Sequence, residues 1–344
     1  MSNDLNQNPV GDSAGDPVGG LVVGLDAGGT RTRAVLAAVE DGRPVGEGAA
    51  GPGNALTVPV PRLTDHLAEA LALAVPEGAR ARVVAVAGGF AGATAASTEE
   101  PGHVNARAAL TAALQRLGIP ADRLRVCSDI EAAFASAPGT PADGLALVAG
   151  TGAVALRITD RRSTATVDGD GWLLGDDGSG FWIGRSAVRA ALRMADGRGA
   201  ATTLAVSVGR ALGVPGDALP GDGDWSRADR EAYRMHVLPA VMAELPIRLA
   251  RFAPLVVEAE GEKDAVAQDI LDEAAVRLTD TVRALEPGPG ERIVATGGLL
   301  GPGGPLTAPL TARLHTLGLT LDWVPDGCRG AVALARLAYD GDTR

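Results

Sequence analysis

Two glycine-rich turns of the same kind, each between two apolar runs, constrain the fold of this chain more than any other feature. In the first, the apolar run 21–25 leads into the turn 26–30, and another apolar run, 34–39, follows it. We predict a strand, a turn and a second strand, because a turn so rich in glycine suits neither a strand nor a helix interior. Gly28 and Gly29 offer backbone N–H groups to an anion, which predicts a phosphate-binding turn.

A second turn of this type follows in the middle of the chain. The apolar run 144–149 leads into Gly150, Thr151 and Gly152, and a further apolar run, 153–158, comes next. A repeated unit indicates internal duplication, and two similar halves with one phosphate turn each predict a nucleotide held between them. The alternative is a pair of ordinary β-hairpins. Neither turn has the pattern of a P-loop or of a dinucleotide-binding turn.

The composition limits the class of protein. A chain of 344 residues can form two domains, and its net charge of −11 argues against binding to nucleic acid or to an anionic membrane surface. Cys127 and Cys328 are far apart, so neither a zinc motif nor a redox motif is visible. The scarcity of cysteine, together with the lack of a long uncharged apolar run and of a signal peptide, predicts a cytoplasmic protein.

The order of apolar runs predicts an α/β protein of two domains, because strands alternate with helices along the chain. Residues 1–20 are polar and are predicted to be a disordered tail. The first domain is predicted to span 21–140 and the second 141–327, with a final helix at about 328–342 completing the first domain. The boundary falls at the glycine- and proline-rich stretch 137–144.

Apolar side chains at helical spacing predict the longer helices. Two of these helices are expected at 227–252 and 264–285 in the second domain. The core of the last helix, within the final segment 328–342, is expected at 330–339.

Asp129 is a candidate catalytic residue. The pair Ser128-Asp129 follows a short apolar run and opens a helical stretch. Sites in open α/β sheets form beyond the carboxyl ends of the strands, where an aspartate can act as a general base. An aspartate at the start of a helix can equally serve as an N-terminal cap.

A second candidate is the stretch 168–180, which carries four aspartates and five glycines. Carboxylates in such a loop can accept paired hydrogen bonds from the hydroxyls of a small ligand. A solvated acidic turn or a calcium loop would have a similar composition. The EF-hand pattern fails, however, because Trp172 occupies the third ligand position.

Two further turns are weaker candidates. Asn54 follows Gly51-Pro52-Gly53, and its amide can either cap that turn or bind a sugar hydroxyl. The turn 296–298 (Thr-Gly-Gly) follows an apolar run, and its small residues would let a flat base lie against the backbone. A tight turn between a strand and a helix is the alternative.

Together these motifs resemble a known family. The motifs at 24–30, 128–129, 149–152, 175–180 and 295–298 resemble, in this order, those of the N-acetylglucosamine kinases of the BadF/BadG/BcrA/BcrD ATPase group. The resemblance covers nearly the whole chain, from about residue 20 to about residue 340. It implies two similar domains of the actin/hexokinase-like (ribonuclease H-like) fold, with an ATP cleft between them.

The resemblance also implies roles for individual residues. Asp129 would be the catalytic base, and Asp26 would orient Mg²⁺. The residues expected to bind ATP, at its phosphates or beside its adenosine, are Gly28, Gly29, Thr30, Gly150, Thr151, Gly152, Gly297 and Gly298. The residues expected to contact the sugar are Asn54, Asp129, Asp170, Gly171 and Asp176.

Two departures from the family pattern concern the sugar. Where the family has Gly-Trp-Gly, this chain has Gly169-Asp170-Gly171, and Asp177 stands in place of a glutamate. An additional carboxylate near the 2-position of the sugar would favour an ammonium group over an acetamide. The resemblance therefore implies ATP-dependent phosphorylation of N-acetylglucosamine at O6, with glucosamine as the alternative substrate.

Other classes of protein remain as alternatives. The activators of acyl-CoA reductases and dehydratases in this group bridge a cluster through cysteines, and the related zinc-containing sugar kinases carry a cysteine-rich motif. Neither pattern occurs here. An ATP-dependent sensor or assembly protein without phosphotransfer stays open. We expect a homodimer that binds an amino sugar and ATP, and that binds neither nucleic acid nor a membrane.

Overall fold

The computed structural model of the chain describes residues 19–93, 98–120, 122–221 and 225–341. The predicted tail, 1–20, lies outside the described residues except for its last two positions. None of the helices within these ranges is long and apolar enough to cross a membrane.

Two five-stranded sheets form the centre of the described structure. The strands are β1 (Leu21–Ala27), β2 (Thr32–Ala38), β3 (Pro44–Ala50), β4 (Val83–Phe90), β5 (Leu124–Ser128), β6 (Gly144–Ala149), β7 (Ala153–Thr159), β8 (Arg162–Asp168), β9 (Arg292–Thr296) and β10 (Thr320–Trp323).

Helices cover the sheets. They are α1 (Val60–Ala74), α2 (Pro101–Leu117), α3 (Asp129–Ala135), α4 (Gly171–Leu174), α5 (Gly180–Ala195), α6 (Leu204–Ala211), α7 (Arg227–Met242), α8 (Ala253–Gly261), α9 (Ala265–Arg283), α10 (Thr307–Thr316) and α11 (Cys328–Gly341). Short 3₁₀ segments span Glu77–Arg82, Gly216–Ala218 and Pro246–Phe252.

The two sheets have the same topology. The strand order is β3-β2-β1-β4-β5 in the first sheet and β8-β7-β6-β9-β10 in the second. In both, the first three strands of the unit form an antiparallel meander, and the two later strands add in parallel. This equivalence confirms the predicted α/β fold of two similar halves. The domain limits predicted from the sequence stay a prediction.

The first sheet has an apolar core on each face. Leu21 and Val23 pack in the cluster that contains α1 and α2, whereas Val22 packs in the cluster that contains α11. The alternation follows from the strand geometry, because neighbouring side chains point to opposite faces. The last helix therefore packs against the first sheet, although the second sheet precedes it in the chain.

Helix α3 packs between the two sheets. Ala132 and Ala135 join the core of the first sheet, while Ala133 and Phe134 join a cluster with β6, β7 and β9 of the second sheet. Gly330 of α11 permits a close approach to α3, because a Cβ atom there would lie 1.8 Å from the carbonyl oxygen of Ala132. The helix that begins at Asp129 is thus fixed from both sides.

The prediction of one helix over 227–252 is wrong. Helix α7 ends at Met242, Leu245 is extended with ψ of 133°, and a 3₁₀ segment begins at Pro246. Proline lacks an N–H group and disfavours helical geometry at the residue before it, which accounts for the break. The exposed edge strands β3 and β8 were also not predicted, because their sequences lack a continuous apolar run.

Candidate active site

Asp26 and Asp129 converge at the carboxyl ends of the first sheet's parallel strands. Asp26 on β1 pairs with Gly89 on β4, and a Cβ atom at Gly89 would lie 3.2 Å from the Cα atom of Asp129. Ser128 caps α3 by accepting a hydrogen bond from the Glu131 N–H at 3.1 Å. Because Ser128 serves as the N-cap, Asp129 is not needed for capping. Its Oδ1 atom accepts from the Ile130 N–H, which leaves Oδ2 for another role.

The pKa values of Asp129 and Asp26 are higher than those of ordinary surface aspartates. Burial, followed by the negative charge of Asp26, raises the pKa of Asp129 to about 6, while a hydrogen bond from the Ile130 N–H at 3.0 Å opposes the shift. Burial also raises the pKa of Asp26. A carboxylate with a pKa near neutrality is well suited to general-base catalysis.

Asp326 belongs to the same cluster, although no sequence motif pointed to it. Its carboxylate accepts a hydrogen bond from Arg33 at 2.8 Å, and Arg33 lies 3.7 Å from Asp26. The N–H of Gly327 donates to Asp26 at 3.3 Å. The segment before α11 thus brings a second carboxylate to the position predicted to orient Mg²⁺.

Some of the possible ligand atoms in this cluster suit a cation such as Mg²⁺, and one does not. Potential ligand atoms of Asp26, Asp326 and Cys328 lie within 4.8 Å of one another. The two carboxylates suit Mg²⁺, which prefers oxygen. The thiol of Cys328 does not, because burial raises its pKa and keeps it protonated. Since Arg33 already pairs with Asp326, Asp26 is the better placed of the two carboxylates.

The first glycine turn is joined to the Asn54 loop. Gly28 donates to the Arg31 carbonyl at 2.9 Å, and its own carbonyl accepts from the Gly53 N–H at 2.9 Å. A Cβ atom at Gly29 would meet nothing within 4 Å, so that part of the turn is open. The side-chain oxygen of Asn54 accepts from Leu56 and Thr57, so Asn54 presents its amide N–H₂ to a ligand.

The second glycine turn rests on the start of α5. The Gly180 N–H donates to the Gly150 carbonyl at 2.8 Å, and the Phe181 N–H donates to the Thr151 carbonyl at 3.1 Å. These bonds leave the opposite side of the turn to a ligand. A Cβ atom at Gly150 would meet nothing within 4 Å.

The late Thr-Gly-Gly turn packs directly on the second turn. The Leu299 N–H donates to the Ala149 carbonyl at 3.2 Å. Gly297 has φ of +106°, and a Cβ atom there would lie 2.2 Å from that carbonyl oxygen, so only glycine fits. The predicted adenosine turn and a predicted phosphate turn are therefore neighbours.

A pocket of about 590 Å³ opens beside these two turns. Its volume is typical of a small-molecule site. Its lining is mainly apolar and includes three of the predicted ATP-binding residues. The lining residues are Gly150, Thr151, Gly180, Ala250, Ala253, Pro254, Val257, Glu258, Gly298, Leu299 and Pro305.

The acidic loop is tied to the second turn through Asp176. Its Oδ1 atom accepts a hydrogen bond from the Ala153 N–H at 3.0 Å, and the residue is 7% exposed. Asp168 in turn accepts from the backbone N–H groups of Asp176 and Asp177 at 2.6 and 2.8 Å. Burial, and after it the charges of Asp168 and Asp170, raise the pKa of Asp176. One oxygen of Asp176 thus has a structural role and the other stays available.

Asp170 and Gly171 lie at the exposed start of α4. Asp170 lies beside Gly175, because a Cβ atom at Gly175 would be 3.1 Å from the Cβ atom of Asp170. Gly175 directly precedes Asp176 in the chain. The rest of the short helix is also exposed, with Leu173 at 70% and Leu174 at 81%. This part of the loop is accessible to a ligand.

The candidate residues thus form two groups. Asp26, Asp129 and the first turn with Asn54 lie on the first sheet. The second turn, the late glycine turn and the acidic loop lie on the second sheet. Within the described ranges, no hydrogen bond joins one group directly to the other. Helix α3, which carries Asp129, packs against both sheets.

Solved structures with the same fold include three whose proteins have kinase names. One, from Chromobacterium violaceum, is provisionally assigned as an N-acetylglucosamine kinase; it is 24% identical, with a TM-score of 0.64 over 93% of this chain and 100% of that one. Another structure with the same provisional assignment comes from Porphyromonas gingivalis. It is 21% identical, with a TM-score of 0.65, and the match covers 93% of this chain and 99% of that one.

The third is a ROK family glucokinase from Streptomyces griseus in complex with glucose and AMPPNP. It is 22% identical, with a TM-score of 0.52 over 92% of this chain and 100% of that one. At these identities the similarity shows the fold. No curated protein matches this chain in sequence. The sequence pattern of the BadF/BadG/BcrA/BcrD ATPase family matches residues 23–306, and the chain therefore belongs to that family.

Proposed function

We propose that this protein is an ATP-dependent amino-sugar kinase that phosphorylates N-acetylglucosamine at O6. The observation that carries the proposal is the Asp129 carboxylate, which does not cap α3 because Ser128 does, and whose pKa is raised by burial to about 6. A protein that only binds nucleotide would need no base at this position.

Asp129 is proposed to accept the proton of the sugar hydroxyl as its oxygen attacks the γ-phosphorus of ATP. The new O–P bond forms as the bond to the leaving ADP oxygen breaks. Open backbone N–H groups of the two glycine turns would stabilise charge on the phosphate oxygens. The pocket beside Gly150 and Gly298 would hold the adenosine.

Mg²⁺ fits this scheme through the oxygen ligands at the end of β1. Asp26 would hold it, directly or through water, with Asp326 beside it. When bound, the ion would neutralise charge on the phosphate groups. Arg33 fixes the position of Asp326 by its 2.8 Å hydrogen bond.

Besides Asp129, the sugar would contact Asn54 on the first sheet. It would also contact Asp170, Gly171 and Asp176 in the acidic loop of the second sheet. N-acetylglucosamine stands first because of the family resemblance and the names of two proteins of the same fold. Glucosamine stands second because Asp170 is exposed beside Gly175 and adds its charge to that of Asp176. An ammonium group would be attracted by this charge, whereas an acetamide would not.

The expected homodimer is also proposed. Large apolar side chains are exposed on α7 and just after it, namely Met235, Leu238, Met242 and Leu245. A second copy of the chain could cover them. Light scattering of the protein during gel filtration would give the mass, and a monomer at micromolar concentration would contradict the proposal.

A panel of sugars tests the proposed activity. ADP release would be measured with N-acetylglucosamine, glucosamine, glucose and N-acetylmannosamine, and kcat/KM compared. We expect the first two to give the highest values. Product analysis by NMR would show whether phosphate is on O6. Nucleotide binding without phosphate transfer to any sugar would favour the sensor class.

A further inference from the structure

A groove of about 970 Å³ lies along α11. The glycine turns and Asp129 do not line it, but at one end it reaches Arg33 and Asp326 of the Asp26 cluster. We call it the arginine groove. It is lined by β2 and β3, by the turn between them, by the segment that follows α3, and by the start and one face of α11. The lining ranges are 31–35, 41–44, 47–49, 135–140 and 325–336 in part.

The charge of the arginine groove is opposite to that of the chain. The chain has 31 basic and 42 acidic residues, yet the groove contains more arginines than carboxylates. Its arginines are Arg31, Arg33, Arg43, Arg329 and Arg336, and its carboxylates are Asp41, Glu47 and Asp326. A local excess of positive charge in an acidic protein attracts anions specifically to that place.

Two of these guanidinium groups are held in position. Arg336 donates from Nε to the Val39 carbonyl at 2.7 Å and from Nη2 to the Glu40 carbonyl at 2.6 Å. Because both partners are neutral carbonyls and Arg336 forms no ion pair within the described residues, its charge is not compensated. Arg33 is fixed by Asp326. These contacts reduce the entropy that the side chains would lose when a ligand binds.

The other three arginines are exposed and available. The side chains of Arg31, Arg43 and Arg329 make no hydrogen bond or ion pair within the described part of the chain. Guanidinium groups bind phosphate through two parallel N–H donors, so several of them in one groove favour a phosphate ligand over a simple halide.

We propose that the arginine groove binds a small phosphorylated molecule with at least two negative charges. The volume of about 970 Å³ is at the upper end of the range for small-molecule sites. A nucleic acid would be repelled by the net charge of −11 over the rest of the surface. The ligand class is therefore a diphosphate or a phosphate ester.

The groove borders both connections between the two sheets. The groove is bordered by 135–140, where the chain passes from the first sheet to the second, and by 325–329, where it returns to α11. A ligand in contact with both connections would bind with different affinity when the angle between the sheets changes.

Calorimetry with two probes tests the site. Pyrophosphate and glucose 6-phosphate would be titrated separately into the full-length protein, with the nucleotide cleft saturated by Mg²⁺ and a non-hydrolysable ATP analogue. The variant is Arg43→Ala/Arg329→Ala, which removes two exposed arginines outside the proposed catalytic machinery. The matched control is Arg62→Ala/Arg210→Ala, which removes two exposed arginines on α1 and α6.

We expect one equivalent of at least one probe to bind the wild type and the control equally, and to bind the groove variant at least tenfold more weakly. Binding of pyrophosphate would identify the ligand class as a diphosphate, and binding of glucose 6-phosphate would identify it as a phosphate ester. Thermal unfolding would verify that both double variants are folded. Equal affinity in all three proteins, or no binding of either probe to the wild type, would overturn the proposal. The test does not depend on kinase activity, so its outcome is separate from that of the sugar panel.

Discussion

The carboxylate of Glu131 joins the two sheets through Ser163: its Oε1 atom accepts a hydrogen bond from the Ser163 N–H at 2.7 Å. The other oxygen, Oε2, accepts from the Ser128 N–H at 3.0 Å, and the residue is 3% exposed. Glu131 lies on α3 two positions after Asp129, and Ser163 lies on β8 of the second sheet. One buried side chain therefore holds the start of the helix and its contact with the other half.

Replacing Glu131 should destabilise the protein. Glu131→Ala leaves the buried Ser128 N–H and the half-buried Ser163 N–H without acceptors, and we expect a loss of about 2 kcal/mol or more in the free energy of unfolding. Glu131→Gln keeps one acceptor oxygen and should lose about half as much. Urea unfolding would measure both. Glu244→Ala is the control, because its exposed pair with Arg251 should contribute less than about 1 kcal/mol. Equal losses for Glu131→Ala and the control would contradict the prediction.

Asp129→Asn should abolish most of the activity while keeping the shape of the site. We expect kcat to fall by about 10² or more, with nucleotide affinity little changed, because only the proton acceptor is lost. In the wild type, kcat/KM should fall about tenfold per pH unit below the pKa of about 6. A variant with near-normal kcat would remove Asp129 from the mechanism.

The same substitution should make stability less dependent on pH. The folded-state pKa of Asp129 is above its ordinary value, so the folded protein holds this proton more tightly than the unfolded chain. Its contribution to stability is therefore fully present below about pH 4 and lost as pH rises through about 6. We expect Asp129→Asn to be more stable than wild type at pH 7, by roughly 2–3 kcal/mol at most, and no more stable at pH 4. Urea unfolding at both pH values checks this, and an equal difference at both would contradict it.

Two substitutions at Asp176 separate its structural role from its proposed sugar contact. Asp176 has φ of +57°, which asparagine tolerates well, and an asparagine oxygen can still accept from Ala153. Asp176→Asn should therefore keep the stability of the wild type and raise KM for the sugar. Asp176→Ala should in addition lose about 1–3 kcal/mol in unfolding free energy. An unchanged KM in Asp176→Asn would leave the residue with the structural role alone.

Asp170→Trp tests the choice of sugar. If the Asp170 carboxylate pairs with the amine of glucosamine, its loss should shift the ratio of kcat/KM values toward N-acetylglucosamine by about tenfold or more. Asp170→Ala separates the loss of charge from the gain of an aromatic ring. The measurement is the ratio for the two sugars in each variant. A ratio equal to that of the wild type would show that Asp170 has no part in selecting the substrate.

Much of this architecture could be predicted from local sequence. The run-turn-run patterns around Gly28 and Gly150 became the hairpins β1–β2 and β6–β7, and the apolar run before Ser128 became β5. Hydrogen bonds in hairpins and helix caps join residues close in sequence, so residue type and spacing specify them. The order of the motifs was specific enough to identify the family.

Only the tertiary structure brought distant residues together. Arg33 reaches Asp326 at 2.8 Å, and the Gly327 N–H reaches Asp26 at 3.3 Å, because α11 packs on the first sheet; no local pattern marks Asp326. The arginine groove likewise combines residues from β2, β3 and α11. Sequence spacing carries no information about such contacts, since they depend on how the elements pack.

The sequence by itself thus determined the duplicated α/β fold, the glycine turns and the position of Asp129 at the start of a helix. The tertiary structure decided the chemical state of these groups. The pKa of Asp129 depends on burial and on the charge of Asp26, which reaches it across β4. Local propensity follows from neighbours along the chain, whereas burial and charge interactions depend on neighbours in space.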